Sequence, residues 1–114
     1  MKAVKIDVEK QEIYEFEFEG GLDAIYSAIG NNCTTFECPI DFASSKNMAN
    51  SLYCDEEINY RLEDVKGAFK MEGWSYPIIN NCIIVGTNKD GEDCDHDISI
   101  EDLKNEIEWL GWNH

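Results

Sequence analysis

"IINNCIIVGT", residues 78–87, is the most apolar run in the chain, and its reading decides the fold. It is short, rich in β-branched residues and bounded by polar ones, so it is expected to be a central strand. A central strand needs partners on both edges, and the flanking sequence supplies candidates. "NKDG" (88–91) is a hairpin-turn signal in which Gly91 can take positive φ. "EDCDHDI" (92–98) would then run back as the partner strand. Ser99 with Asp102 three positions later resembles a capping box and opens a closing helix. Ile100, Leu103, Ile107 and Leu110 line one face of that helix, and Gly111 ends it.

Upstream, Val4, Ile6 and Val8 alternate with polar residues, as in a half-buried strand. Tyr14, Phe16 and Phe18 alternate with Glu15, Glu17 and Glu19, so the two runs form a hairpin that Gly20-Gly21 closes. "LDAIYSAIG" (22–30) shifts to helical spacing and stops at a C-cap glycine, Gly30. "CTTFECPIDF" (33–42) returns to strand character, with Pro39 marking an edge or a bulge. "ASSKNMANS" (43–51) reads as a mobile loop. Residues 51–71 fit either a second hairpin or a helical stripe of Ile58, Leu62, Val65 and Phe69. The adopted reading is strand, turn and strand to about Leu62, then a short helix over "EDVKGAFKM" (63–71), weakened by Gly67. The resulting class is α+β: an antiparallel or mixed sheet of about five or six strands, with roughly two or three helices packed on one face. At 114 residues the chain is one compact domain, 1–114.

Charge is the strongest compositional signal. Twenty-four acids against nine bases give a net charge of −15, beyond the magnitude of about 2–8 that solubility alone recommends. Such a surface repels nucleic acid, whose binding requires Lys and Arg to displace counterions, and any charge-guided partner is basic. No apolar run approaches the roughly 18–20 residues that span a bilayer, and the N-terminus lacks a signal-peptide core. Five cysteines form no even, tightly spaced framework, which favours reduced thiols in a cytoplasm.

Residues 89–97, "KDGEDCDHD", invite a metal or catalytic reading. Asp93, Asp95 and Asp97 have the spacing of the first three EF-hand ligands. Ile98 stands where the loop needs glycine, however, and Lys104 where it needs a bidentate glutamate. Cys94-x-His96 with Cys33 and Cys38 only loosely meets structural-zinc spacing. No metal and no cofactor are expected. A Cys-His catalytic pair would have to use His96, which the surrounding acids are expected to hold protonated, and no nucleotide-binding, metalloprotease or hydrolase motif occurs. An enzyme is not expected.

Binding suits the composition better. Asp90, Glu92, Asp93, Asp95, Asp97, Glu101, Asp102, Glu106 and Glu108 accompany only Lys89 and Lys104 across residues 89–108. Alternate strand residues lie about 6.5–7 Å apart on one face, roughly twice the 3.4 Å rise per phosphate of a DNA strand. Two neighbouring rows of carboxylates would therefore approximate a phosphate track, and Glu15, Glu17 and Glu19 offer another row. A solvated sheet face and helix back would look the same. Trp74 and Trp112 are the candidate aromatic anchors at an interface. Arg61, Lys66 and Lys70 form the one basic cluster, able to take a phosphate of a small ligand or to stand as isolated surface bases.

The pieces "LYCDEE" (52–57), "NNCIIVGT" (80–87), "DG" (90–91) and "ISIEDL" (98–103) resemble a family of small bacteriophage and mobile-element proteins. Their pattern is an opening strand pair, a short helix, a hairpin with an Asp-Glu turn, a late aliphatic strand and a closing acidic helix. The resemblance implies a setting in which small acidic proteins block host defence enzymes that handle nucleic acid, as antirestriction proteins and many anti-CRISPR proteins do. The expected function is a non-enzymatic inhibitor in the host bacterial cytoplasm. It would occupy the basic nucleic-acid-binding surface of a defence protein without itself binding nucleic acid or membrane. The alternatives are a binder that sequesters a nucleotide signal and a structural or regulatory subunit.

Overall fold

The computed structural model describes residues 1–111. Its elements are Lys2–Asp7 (β1), Glu12–Glu17 (β2), Leu22–Ile29 (α1), Phe36–Phe42 (β3), Ala49–Asp55 (β4), Ala68–Met71 (β5), Ile78–Ile79 (β6), Cys82–Thr87 (β7), Asp93–Cys94 (β8), Ile100–Glu106 (α2) and Ile107–Leu110 (β9). Two single-turn 3-10 helices, Ile58–Tyr60 and Leu62–Asp64, lie between β4 and β5. The main sheet has six strands in the order β2-β1-β7-β4-β3, with β8 also paired to β7; a second sheet of three runs β6-β5-β9. Every pairing is antiparallel. The molecule is therefore α+β, with two sheets rather than one.

The strand β7 is central, as its sequence requires. Cys82, Ile83, Ile84 and Val85 are all fully buried, and each isoleucine contributes about 1.5–3 kcal/mol through burial. Successive side chains point to opposite faces. Cys82 and Ile84 join Val4, Ile6, Phe69, Met71 and Leu103 in one core, under the small sheet and α2. Ile83 and Val85 join Ala3, Phe18, Ile25 and Ile29 in the other, under α1. The two helices thus cover opposite faces of the main sheet, which corrects the expectation that helices pack on one face.

The apolar run 78–87 is two strands, not one. Asn80 takes φ 71°, and its side chain accepts the Lys66 amide at 2.6 Å and donates to the Asp64 carbonyl at 2.9 Å. Asn81 Oδ1 accepts the Val8 amide at 2.9 Å. The pair separates β6 in the small sheet from β7 in the large one, so the chain changes sheets where the asparagine side chains pair neighbouring backbone groups and the Asn80 amide donates to the Gly67 carbonyl at 2.9 Å.

Of the hairpin expected from residue 51 to about Leu62, the first strand is present as β4 and the second is replaced by 3-10 turns, while the helix expected over 63–71 gives way to β5 at its C-terminal half. Pairing of β5 with β6 and β9 outweighs its local propensity. A Cβ at Gly67 would sit 2.9 Å from the Val8 carbonyl oxygen, so glycine is needed there for close approach. The closing helix starts where expected, with Ser99 Oγ accepting the Asp102 amide at 3.2 Å. It stops at Glu106 because Ile107 turns extended, at φ −99° and ψ 132°, and enters β9. The opening hairpin, the α1 helix and the edge strand β3 match their expectations, and the β3 register shifts between Glu37 and Ile40, around Pro39. No helix among the described residues is long and apolar enough to cross a membrane.

Candidate functional site

The acids of residues 89–108 divide into three groups because the β8 strand is only two residues long. At the turn, Asn88 Oδ1 accepts the amides of Asp90 and Glu92 at 2.9 and 3.0 Å, and both acidic side chains stay exposed. Asp93 opposes Thr87, whose hydroxyl meets Ser51 at 3.1 Å, so it belongs to the α1 side of the sheet. Beyond Cys94 the alternation ends. His96 donates its amide to the Lys2 carbonyl at 3.0 Å, and Asp95 Oδ1 accepts the Lys2 amide at 2.7 Å. Asp97 is half-buried against the 43–48 loop, where it accepts from Asn50 Nδ2 at 2.8 Å, from the Ser45 amide and hydroxyl at 2.9 and 3.0 Å, and from the Lys46 amide at 3.2 Å. The Asn50 hydrogen bond, helped by Ser44 and Ser45, holds its carboxyl well below the usual carboxylate range. Asp93, Asp95 and Asp97 therefore do not form one row, and Asp97 anchors the 43–48 loop.

The third group forms a band along α2 and β9. Glu101, Asp102, Glu106 and Glu108 are exposed. Glu101 and Asp102 sit in the first turn of α2, where negative charge complements the helix dipole. Asp102 and Glu106 share a shallow groove with Phe42, Ser45, Asp97 and Ile98. Glu106 also borders a second groove, with Lys70, Glu72, Trp74 and Glu108. Glu106 is common to both, so the carboxylates run on from α2 to the small sheet. Two bases accompany them: Lys104, 3.8 Å from Glu101, and Lys70, paired across the strands with Glu108. Glu72 was invisible to sequence reasoning. It joins the band because its amide donates to the Glu106 carbonyl at 2.9 Å, a product of the β5–β9 pairing.

Glu15 and Glu17 lie on the opening hairpin. Glu15 Oε1 meets His96 Nε2 at 2.8 Å, and Glu17 is 3.6 Å from the N-terminal ammonium. Glu19 follows β2 and shares a shallow pocket with Glu17 and Asp23. His96 Nδ1 accepts the Ile98 amide at 3.1 Å, so both ring nitrogens are engaged, one by the backbone and one by Glu15.

The basic cluster is dispersed in its roles. Arg61 makes a bidentate pair with Asp55 at 3.2 and 2.8 Å, binds Asp64 at 2.8 Å and donates to the Asn31 carbonyl at 2.9 Å. A phosphate would have to displace these partners. Lys66 and Lys70 are exposed. Trp74 is 37 % exposed, at the junction of the acidic groove and a neighbouring cleft. Trp112 lies outside the described residues.

Cys33 donates to the Thr35 carbonyl at 3.2 Å and Cys38 to Asp41 at 3.3 Å. Burial pushes each of these thiols up to about 11. Among the described residues no group of three or more His, Cys, Asp or Glu side chains is placed to hold a metal ion. Comparison with protein-family models, curated proteins and solved structures finds no match.

Proposed function

We propose that this protein is a non-enzymatic inhibitor of the phage or mobile-element kind. It occupies the basic nucleic-acid-binding surface of a host defence protein, with carboxylates standing in for phosphates. The observation that carries the reading is the exposed band Asp102, Glu106, Glu72 and Glu108, continuous across two grooves on a chain of net charge −15. Residues four apart on a helix are separated by about 6 Å along its axis, nearly twice the 3.4 Å phosphate rise of a DNA strand. The mimicry is one of field and spacing rather than of atom-by-atom shape. Like charge on both excludes direct binding of nucleic acid, while the same field speeds encounter with a basic surface.

The test is affinity capture on the immobilised protein from a bacterial lysate at low salt, followed by elution with duplex DNA or with an uncharged polymer. Nucleic-acid-binding proteins are expected that duplex DNA releases and the polymer does not. Captured proteins that DNA fails to displace would overturn competition as the mechanism.

A further inference from the structure

The acidic band gives charge but no recess; the recess lies next to it. Glu37, Pro39, Glu56, Ile58, Trp74 and Tyr76 line a cleft of about 220 Å³. That is below the roughly 300–1,000 Å³ of pockets that enclose a whole small ligand, and suits a single side chain. Trp74 also lines the groove of Glu72, Glu106 and Glu108, so cleft and band are continuous. Tyr76 is 72 % exposed and Trp74 37 %, which leaves aromatic surface open on a molecule whose other large aromatics mostly pack in the cores. Glu37 and Glu56 are exposed, and no ion pair of either is present among the described residues. Asp55 also borders the cleft, but its carboxylate is held by Arg61.

Aromatic faces beside unpaired carboxylates form a receptor for a cation with a flat, weakly hydrated face. Guanidinium has that character, stacking on aromatic rings while its fork donates to carboxylates; ammonium is a compact, strongly hydrated charge. The geometry points to this cleft as the seat of one arginine side chain of the basic partner, an inference that rests on the function proposed above. The band attracts the partner by charge, and the cleft selects arginine over lysine at one position.

Calorimetric titration of the full chain with a nine-residue polyarginine and a nine-residue polylysine peptide, at low salt, separates the two. The arginine peptide is expected to bind about five- to tenfold tighter. Trp74→Ala and Tyr76→Ala should each remove most of that preference and leave the lysine peptide's affinity unchanged. Tyr76, being the more exposed, keeps the test valid if Trp74→Ala fails to fold. Equal affinities, or an arginine preference that survives both substitutions, would overturn the cleft and leave the acidic band standing. Binding of neither peptide would overturn both.

Discussion

At the residue scale, two polar side chains organise the molecule, Asn80 buried and Asp97 half-buried. Asn80 is fully buried, in the left-handed region, and bridges Lys66 to Asp64. Asn80→Ala loses both hydrogen bonds and keeps an unfavourable φ, at a cost of about 2–4 kcal/mol. Asn80→Gly relieves the φ and should cost roughly 1 kcal/mol less. Urea unfolding measures both, and equal costs would contradict a backbone role. Asp97 acts through charge. Its folded pKa is depressed by Asn50 and the serines of the 43–48 loop, so its stabilisation is complete above the unfolded value of about 4 and fades as pH falls below it. Asp97→Asn should therefore be less stable than the parent at pH 7, with the gap beginning to narrow as pH falls below about 4 and still open at about pH 3. A gap independent of pH would contradict the assignment. Neither role was legible in the sequence: Asn80 reads as a polar interruption of an apolar run, and Asp97 as one more acid in a crowded stretch.

At the element scale, what was legible was local. The β7 strand announced itself by unbroken apolarity, the 88–91 turn by Asn88 and Gly91, and the α2 start by Ser99 and Asp102. The strands β5 and β9 were missed because each is four residues long and is held by a partner far along the chain. The stripe Ile100, Leu103, Ile107 and Leu110 fits a helix to its end, and only pairing with β5 turns its second half extended. The acidic row failed for a related reason. Alternation through Asp97 presumes a strand, and β8 ends at Cys94. There the backbone passes so close to Gly86 that an added Cβ would collide with the Asp95 carbonyl oxygen. Gly86→Ala should therefore cost about 1–3 kcal/mol or more, with lost hydrogen-exchange protection centred on the β7–β8 pairing. Unchanged stability would mean that this contact relaxes freely.

At the scale of the whole molecule, composition foretold the sign of the surface but not its layout. The sequence placed the acids of 89–108 on one face. The fold sends some to the turn, ties others to backbone amides of β1 and the 43–48 loop, and leaves a band on α2 and β9 that Glu72 completes from another segment. The most direct test of the proposed function compares two variants of equal net charge in the same capture experiment. One neutralises the band through Glu101→Gln, Asp102→Asn, Glu106→Gln and Glu108→Gln. The other neutralises four exposed acids outside it, through Glu9→Gln, Glu12→Gln, Asp23→Asn and Glu63→Gln. The proposed function predicts that affinity for the DNA-displaceable partner falls about tenfold or more in the first variant and stays within about twofold in the second. Equal losses in the two, or no loss in the first, would contradict it.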